Sequence, residues 1–403
     1  MTDVLQARCK HFGSCGGCKS QDVAYDAQLA EKSRVLRELF AAHRAGEVPV
    51  YGSPVQWHYR NKIDPTFSGK HYETPPPKDF KRETVLGFKA QGRWFSTMDT
   101  EECKIFSEDI GPLLENVRTW VRAEDLQPFD SRRKTGFLKN LLVREGKRTG
   151  QKMVVLVTRF GDIDSTGFVN AVLDVYPATS IHLAPTESLS SVAYAEQSQV
   201  LHGTATIDEE LWIADPVLGE RKLKFRVSPF SFLQTNTLAT ESLYVGILER
   251  VLKLAPTALY DLYGGCGGIA FTCAPHVAKI TSVENVQSAT EDGEYNARVN
   301  GIDNVAFITA GVETYLTELA ASGPLPEGSL FVMDPPRAGL HPKALKQTME
   351  LLPENILYIS CKPTVLAQEF AVLQEKYTIA ELCAYDLFPH TEHVEVLAHL
   401  VRR

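Results

Sequence analysis

The chain has 403 residues, of which 44% are hydrophobic and 23% charged, and its formal net charge is −8. This length exceeds the usual size of a single core, so we expect two domains. No run approaches the roughly 20 consecutive apolar residues of a membrane span, and the first residues lack the apolar core of a signal peptide, so we expect a soluble, cytoplasmic protein.

The stretch CKHFGSCGGC, residues 9–18, holds Cys9, Cys15 and Cys18 with spacing C-x5-C-x2-C. In a reducing compartment, clustered thiols are metal ligands or catalysts rather than disulfides. A cubane iron-sulfur cluster needs four thiolates. Cys103 is the fourth candidate, since the remaining cysteines fall in other motifs or in helix- and strand-like runs. Zinc accepts the same ligands, so the spacing leaves zinc and iron-sulfur open.

An amphipathic helix is predicted next, over residues 25–44, where Leu29, Leu36, Leu39 and Phe40 recur at helical spacing. From about residue 50 to residue 226 the pattern changes to short strand-like runs, such as QKMVVLVT and SIHLAP, separated by turn residues. We therefore expect an N-terminal α+β domain that is rich in strands and carries the metal cluster.

Positive charge is concentrated in this domain although the whole chain is acidic. Residues 51–160 hold 20 lysines and arginines against 14 acidic residues. Phosphate contacts dominate the affinity of proteins for nucleic acids, so a local basic patch is compatible with RNA binding. A solvated hairpin rim is an equally good interpretation of the charge alone. The excess cations are Arg132, Arg133, Lys134, Lys139, Arg144, Lys147, Arg148, Lys152 and Arg159.

From Ser228 onward, strand-like runs alternate with helix-length segments. This alternation predicts a doubly wound, mostly parallel sheet of the Rossmann type that binds its ligand at the carboxyl ends of the strands. The predicted boundary gives domains 1–226 and 227–403. The predicted strands are ALYDLYGG, KITSVE, VAFITA, SLFVMDPP, NILYIS and HVEVLAHLV.

A glycine loop, DLYGGCGGIA (261–270), follows the first of these strands. It satisfies the G-x-G-x-x-G/A pattern, and Glu284 ends the next strand, where an acid can accept both hydroxyls of a ribose. A nicotinamide dinucleotide and S-adenosylmethionine both fit such a loop. Asp261 could meet a free ammonium group, and the domain lies late in the chain; both features favour the methyl donor. A simple tight turn with Glu284 on the surface is the remaining alternative.

Three features near the C-terminus carry candidate chemistry. Two prolines stiffen the loop of DPPR (334–337), whose fourth residue, Arg337, is not the aromatic residue used by amino-group methylases. In SCKP, Cys361 precedes a helix and adjoins a lysine, so we expect a lowered pKa and a nucleophilic thiolate, with an inert buried thiol as the alternative. In HVEV, Glu395 lies in an apolar run, where burial would raise its pKa toward that of a base, unless it faces solvent.

These parts suit methylation of uracil at carbon 5. A thiolate that adds to carbon 6 makes carbon 5 nucleophilic toward an electrophilic methyl group, and a base must then remove the proton from carbon 5 so that the thiolate can leave. One cysteine, one carboxylate and one methyl donor complete the cycle.

The sequence resembles the RNA uracil-5 methyltransferase family, which makes 5-methyluridine in ribosomal and transfer RNA, over nearly the whole chain. The resemblance implies that Cys361 is the nucleophile and Glu395 the base. It implies further that a [4Fe-4S] cluster is held by Cys9, Cys15, Cys18 and Cys103. It also implies that Gln234, Tyr263, Glu284 and Asp334 line the site for S-adenosylmethionine. The matching motifs are CKHFGSCGGC, YRNK, LGF, EEC, SFLQTN, DLYGGCGG, SVEN, DPPR, SCKP and FPHTEHVEV.

Relatives often begin with a small RNA-binding barrel, the TRAM domain, and eight residues before Cys9 leave no room for one. We therefore expect a monomer without that domain, with no membrane partner, which holds RNA through its basic patch. Ribosomal RNA is the preferred substrate, because relatives with the cluster commonly act there, and transfer RNA is the second choice. The closed set of four cysteines points to a structural or RNA-contacting cluster rather than a radical one.

Two other functions fit parts of the sequence. An NAD-dependent iron-sulfur oxidoreductase would use the glycine loop and the cluster, but it has no evident role for both Cys361 and DPPR. A non-catalytic RNA-binding assembly factor would keep the cluster and the basic patch, but it has no need of Cys361 together with Glu395. The methyltransferase accounts for all of these motifs.

Overall fold

A computed structural model describes residues 5–74, 76–77, 80–131 and 133–403 of the chain. Its helices are α1 (Tyr25–Phe40), α2 (Ile110–Ala123), α3 (Ser165–Leu173), α4 (Thr237–Leu254), α5 (Gly268–Cys273), α6 (Gln287–Val299), α7 (Val312–Ala321), α8 (Pro342–Leu351) and α9 (Pro363–Leu373), with a short 3-10 turn at Ala274–His276. Among these residues there is no helix with the length and hydropathy of a membrane span.

The strands fall into two sheets and one separate hairpin. They are β1 (Val50–Tyr51), β2 (Lys62–Ile63), β3 (Thr66–Gly69), β4 (Thr84–Ala90), β5 (Arg93–Asp99), β6 (Leu138–Glu145), β7 (Lys152–Thr158), β8 (Ser180–Pro185), β9 (Gln199–Gly203), β10 (Ile207–Asp215), β11 (Gly219–Val227), β12 (Ala258–Leu262), β13 (Ile280–Glu284), β14 (Val305–Thr309), β15 (Ser329–Met333), β16 (Asn355–Ser360), β17 (Tyr377–Tyr385) and β18 (Glu395–Arg402).

Contacts divide the chain into two compact units that are discontinuous in sequence. The first unit comprises Met1–Ala24, Gln56–Glu209 and Val227–Phe230, and the second comprises Tyr25–Val55, Glu210–Arg226 and Ser231–Arg403. The predicted domains, residues 1–226 and 227–403, describe a division of function between two parts of the chain, and this division stays a prediction. The contacts themselves assign two segments of the predicted N-terminal domain, α1 with β1 and most of the β10–β11 hairpin, to the second unit.

The first unit is built on a mixed sheet in the order β5-β4-β3-β6-β7-β8-β9, with β2 paired to β6. Neighbouring strands are antiparallel except β7 and β8, which run parallel because α3 connects them. Apolar side chains of α2 and α3, among them Val117 and Phe168, pack on one face of this sheet. Asp164 begins α3, where its side chain accepts a hydrogen bond from the Gly167 N–H at 3.0 Å.

The second unit contains a doubly wound sheet in the order β1-β17-β18-β16-β15-β12-β13-β14. Strands β16, β15, β12, β13 and β14 are parallel, whereas β18 runs antiparallel to both β16 and β17. Helices α1, α7, α8 and α9 bury their apolar residues on one face. On the other face, Phe271 of α5 contacts Phe307 of β14, and Gly293 of α6 lies directly against the same ring. The α/β fold class is therefore confirmed, with mixed sheets.

Candidate active site

The candidate catalytic residues lie at one edge of the second unit's sheet. Cys361 follows the carboxyl end of β16, and Glu395 begins the antiparallel strand β18. The register of these two strands pairs Ser360 with Val396, so the next positions, Cys361 and Glu395, face each other at the strand ends. Asp334 follows β15, the strand on the other side of β16. The sheet therefore gathers a thiol and two carboxylates at neighbouring strand ends.

The thiol of Cys361 is partly exposed, and its environment differs from the predicted one. Burial and the carboxylates of Glu395 and Asp334 raise its pKa to about 11, while Arg337 beside it acts in the opposite direction. The expectation of a lowered pKa was therefore wrong. The fold places the thiol next to two carboxylates, and burial together with their charge outweighs the nearby cation. The cation beside the thiol is Arg337 of DPPR, which acts where we had expected the adjacent lysine.

Glu395 is 2% exposed, so the alternative of a solvent-facing strand position does not apply. Burial and the charge of Asp334 raise its pKa well above the ordinary value, and Arg337 opposes the shift. Its Oε2 atom is buried and has no hydrogen-bond partner among the described residues. Burial in this state increases the affinity of the carboxylate for a proton, and one of its oxygens accepts no hydrogen bond from the described residues.

Asp334 lies between the thiol and the glycine loop. Its backbone N–H donates to the Leu262 carbonyl at 3.2 Å, which ties DPPR to the end of β12. Its side chain accepts a hydrogen bond from Gln234 Nε2 at 3.1 Å, and burial raises its pKa to about 6. Two predicted cofactor residues, Gln234 and Asp334, are thus in direct contact.

The DPPR loop is held from the side by a buried acid. Leu340 N–H donates to Glu369 Oε1 at 2.7 Å, and the Tyr358 hydroxyl donates to Glu369 Oε2. Gly339 N–H also donates to the Pro336 carbonyl at 2.8 Å, so the loop turns back on itself. The two prolines and this carboxylate together fix the path of the chain between Asp334 and α8.

The glycine loop between β12 and α5 has the backbone that its sequence predicts. Gly265 and Gly267 have φ values of 55° and 92°, in the left-handed region that glycine tolerates best. Gly265 N–H donates to Glu284 Oε2 at 3.2 Å, so this carboxylate oxygen points at the loop, while Val286 N–H in the turn after β13 donates to Glu284 Oε1 at 2.8 Å. A side chain at Gly264 would collide with Ser282 Oγ.

Two buried polar atoms at this loop have no hydrogen-bond partner among the described residues. They indicate whether the residues present suit S-adenosylmethionine. Asp261 is fully buried; its Oδ2 accepts from Ser282 Oγ at 3.3 Å, whereas its Oδ1 has no partner among the described residues. Burial and the nearby Asp334 raise its pKa to about 7. The Tyr263 hydroxyl is also buried and has no hydrogen-bond partner among the described residues. A ligand with ammonium and ribose groups would satisfy such atoms, so the residues present fit the cofactor.

Sequence reasoning missed Tyr244 of α4. A side chain at Gly268 would lie 2.6 Å from its hydroxyl, so the ring reaches the start of α5 under the glycine loop. Burial raises the pKa of this phenol, and the charges of Asp334, Asp261 and Glu395 add to the shift. In the sequence Tyr244 is an ordinary aromatic residue in an amphipathic helix, and no local signal distinguishes it.

The cysteine-bearing segment of the first unit is fastened to two other parts of that unit. Lys10 N–H donates to Glu102 Oε1 at 2.6 Å, and Glu101 N–H donates to His11 Nε2 at 3.0 Å. On its other side, Gly16 N–H donates to the Lys89 carbonyl at 2.9 Å. These bonds hold the segment with Cys9, Cys15 and Cys18 next to the turn that contains Cys103, although some 90 residues separate the segment and the turn in the sequence.

The four thiols influence one another electrostatically. Burial raises the pKa of Cys18 to about 11, with Cys15 and Cys9 adding to the shift, and burial raises that of Cys103 to about 12, with contributions from Cys18 and Cys15. Backbone N–H groups next to Cys9, Cys15 and Cys103 favour their thiolates. The four cysteine sulfurs and the N–H groups next to them suit a metal site with thiolate ligands. Within the described residues, however, no three His, Cys, Asp or Glu side chains converge on a single-ion site. The predicted cluster stays a prediction.

The basic stretch divides between the two ends of the β6–β7 hairpin. At the hairpin loop, Lys147 pairs with Glu145 at 2.6 Å and Lys152 pairs with Asp109 at 2.5 Å. At the opposite end, the Arg159 guanidinium lies 5.3 Å from the centre of the Phe129 ring. Arg133 and Lys134 are exposed near this second end, and Arg132 lies outside the described residues. Neighbouring acids therefore neutralise part of the positive charge of this stretch. Its role as an RNA-binding surface stays a prediction.

Comparisons with known proteins reveal similarity to RNA methyltransferases. A family model described as tRNA (Uracil-5-)-methyltransferase matches residues 183–403. A Clostridium tetani protein described as an uncharacterized RNA methyltransferase is 32% identical over 99% of this chain and 84% of its own length. A tRNA (uracil(54)-C(5))-methyltransferase from Pyrococcus horikoshii is 31% identical over 98% of this chain and 86% of its own length.

Among solved structures, the Pyrococcus abyssi tRNA (uracil-54, C5)-methyltransferase in complex with S-adenosyl-L-homocysteine is similar to this chain with a TM-score of 0.72. The two are 28% identical, and the likeness covers 96% of this chain and 85% of the other. The similarity in fold therefore extends over nearly the whole chain.

Proposed function

This chain belongs to the tRNA (uracil-5-)-methyltransferase family of S-adenosylmethionine-dependent RNA methyltransferases, and we propose that it methylates carbon 5 of one uridine in RNA through Cys361 and Glu395. The observation that carries the proposal is the register of β16 and β18, which brings the thiol and the buried carboxylate to facing strand ends. Family membership also favours the methyl donor over NAD at the glycine loop.

Cys361 acts as the nucleophile. Its sulfur forms a bond to carbon 6 of the uracil ring, and the electron pair of the carbon 5–carbon 6 double bond moves toward the carbonyl oxygen at carbon 4, giving an enolate. Because the pKa of the thiol is about 11, most molecules of the RNA-free enzyme hold it protonated at neutral pH, and the thiol gives its proton to water before the sulfur attacks. Arg337 beside the sulfur favours the thiolate and so assists the attack.

Glu395 acts as the base after methyl transfer. Its carboxylate removes the proton from carbon 5, the electron pair of that C–H bond restores the ring double bond, and the sulfur of Cys361 leaves as a thiolate. The raised pKa of the carboxyl group suits this role because it increases the affinity of the carboxylate for a proton. One proton is released for each methyl group transferred.

Gln234, Tyr263, Glu284 and Asp334 would hold S-adenosylmethionine, together with Asp261 beneath the loop. The cofactor supplies an electrophilic methyl group to carbon 5. Glu284, oriented by two backbone N–H groups, can accept the ribose hydroxyls, and the unpartnered Oδ1 of Asp261 can accept from an ammonium group. Gln234 fixes the Asp334 carboxyl group at the strand end.

The identity of the RNA is a finer part of the proposal. We propose ribosomal RNA as the preferred substrate, on the basis of the resemblance to cluster-bearing family members. The Pyrococcus relatives are named for position 54 of transfer RNA, which makes transfer RNA the competing substrate. The two substrates are separable in one assay.

The proposed function predicts release of tritium from RNA. Ribosomal and transfer RNA, each transcribed with tritium at uracil carbon 5, are incubated with the protein and S-adenosylmethionine, and tritium in water is counted. We expect about one tritium released per methyl group incorporated, because the base removes the carbon 5 proton in each cycle. RNA labelled at cytosine serves as the control. Absence of release from both uracil-labelled RNAs would contradict the function, whereas release from transfer RNA alone would reject only the ribosomal preference.

We propose in addition that Cys9, Cys15, Cys18 and Cys103 bind a [4Fe-4S] cluster. The resemblance favours this cluster. The electrostatic influence of the four thiols on one another and the backbone N–H groups next to Cys9, Cys15 and Cys103 support it. Anaerobically purified protein is expected to contain about four iron and four acid-labile sulfide per chain, and Cys103→Ala to lose most of both. Cys383→Ala, at a buried cysteine of β17, is the control. Stoichiometric zinc without sulfide would overturn the assignment.

A further inference from the structure

One face of α1 is buried, and half of it is polar. The buried residues are Gln28, Lys32, Leu36 and Phe40, which recur every four positions. Leu36 and Phe40 join the apolar core of the second unit, as their spacing predicts. Lys32 is only 8% exposed, and a lysine so deeply buried requires partners because the transfer of a charge out of water is costly.

Within the part of the chain that the structure describes, the Lys32 ammonium donates its hydrogen bonds to one short segment, Asp386–His393. Nζ donates to Asp386 Oδ1 at 2.8 Å, to the His393 carbonyl at 2.9 Å and to the Phe388 carbonyl at 3.4 Å. An ammonium group has three donors, so this segment takes the full capacity of the side chain. The segment ends two residues before Glu395, and the His393 carbonyl is its last contact with Lys32.

Asp386 is fully buried and completes the arrangement. The Tyr25 hydroxyl donates to its Oδ2 at 2.9 Å, and the Phe388 backbone N–H donates to its Oδ1 at 3.1 Å. Tyr25 also accepts a hydrogen bond from Ser53 N–H at 2.8 Å. The ion pair is therefore satisfied on every side, and it links α1 to both ends of the segment.

The middle of the segment is equally constrained. His390 has a φ of 66°, an uncommon conformation for a residue with a side chain, and its backbone N–H donates to Gln28 Oε1 at 3.0 Å. The Thr391 hydroxyl donates to the Phe388 carbonyl at 2.8 Å. A strained backbone persists only where its surroundings hold it, and here α1 supplies that support.

We propose that Lys32, paired with Asp386, is a positioning residue that fixes the chain ahead of Glu395 and so directs the Glu395 carboxylate at carbon 5 of the substrate. The inference rests on the proposed role of Glu395 as the base. It assigns a task to a helix that lies far from Glu395 in the sequence and follows the cysteine segment. The step that depends on this positioning is removal of the proton, which comes after attack by Cys361 and after methyl transfer.

A double variant, Lys32→Met with Asp386→Asn, tests the proposal. Removal of both charges avoids leaving one charge buried alone, which makes a folded product attainable. Under single-turnover conditions, with tritium at uracil carbon 5 and a radiocarbon-labelled methyl donor, methyl transfer is expected to stay within about threefold of wild type. Tritium release is expected to fall by about 10- to 100-fold, because a small misplacement of a catalytic group has effects of this size. A methylated protein–RNA adduct should accumulate.

Arg34→Met is the matched control, since Arg34 is a cation on the same helix that makes exposed ion pairs with Glu31 and Glu38. It should behave as wild type. An equal loss of methyl transfer and tritium release in the double variant would indicate a merely structural role and overturn the proposal, as would wild-type behaviour. If the double variant does not fold, as judged by circular dichroism, Tyr25→Phe tests the proposal instead. The ratio of tritium release to methyl transfer is then expected to fall about two- to fivefold. Absence of methyl transfer in the wild type would instead reject the proposed function.

Discussion

Cys361→Ala is expected to reduce turnover on uracil-labelled RNA by about 10⁴-fold or more, because loss of a covalent nucleophile removes the whole reaction path. Carbon 5 of uracil is a poor nucleophile until a group adds at carbon 6, and alanine offers no such group. Neither tritium release nor methyl incorporation should then exceed background. Both are measured on the same reaction with doubly labelled components.

The matched control for this variant is Cys383→Ala. Cys383 is a buried thiol of β17 in the same sheet, and its sulfur contacts the Leu397 carbonyl at 3.8 Å. It does not lie at the strand ends where Cys361 and Glu395 meet. It should retain activity, and both variants should melt cooperatively. Turnover of Cys361→Ala above about a tenth of wild type would reject the covalent mechanism, whatever the state of the other residues.

The environment of Cys361 illustrates where sequence reasoning stopped. The adjacent lysine and the helix start predicted a lowered pKa, whereas the fold places Glu395 and Asp334 near the thiol and raises it. Both acids come from strands that are not adjacent to Cys361 in the sequence. Their effect depends on strand order and register, which local spacing does not contain.

Most of the second unit's strands could be predicted, because each is a short apolar run that ends at a turn or a motif residue. β17 (Tyr377–Tyr385) was missed. Its sequence, YTIAELCAY, carries a glutamate and breaks its register with β18 between Ile379 and Glu381, which weakens the alternation. β18 was predicted, but its antiparallel direction follows from the hairpin with β17 and so could not be predicted without that strand.

The ambiguity at Glu395 has the same origin. Alternation in HVEVLAHL allows the glutamate to face either the interior or solvent, and only the pairing of β18 between β16 and β17 makes it buried. The polar stripe of α1 is a similar case. Gln28 and Lys32 resemble solvent-facing residues in the sequence, and their burial depends on a segment more than 350 residues away.

Glu395→Gln is expected to stop the reaction after methyl transfer. Glutamine keeps the size of the side chain but cannot accept a proton at neutral pH, so the methylated ring should stay bonded to Cys361. Tritium release should fall by about 10²- to 10⁴-fold, the usual contribution of a general base. Denaturing gel electrophoresis should reveal a protein–RNA adduct that carries both the methyl label and the retained tritium.

Glu392→Gln is the control for this variant, because Glu392 is an exposed acid three residues before Glu395. It should turn over normally and form no lasting adduct. The adduct in Glu395→Gln should disappear when Cys361→Ala is added, since the bond to RNA is made by that sulfur. Tritium release at the wild-type rate in Glu395→Gln would show that another group removes the proton. A loss of both adduct and methyl transfer would mean that Glu395 acts earlier, in the attack by the thiol, and the order of steps assigned to these two residues would be wrong.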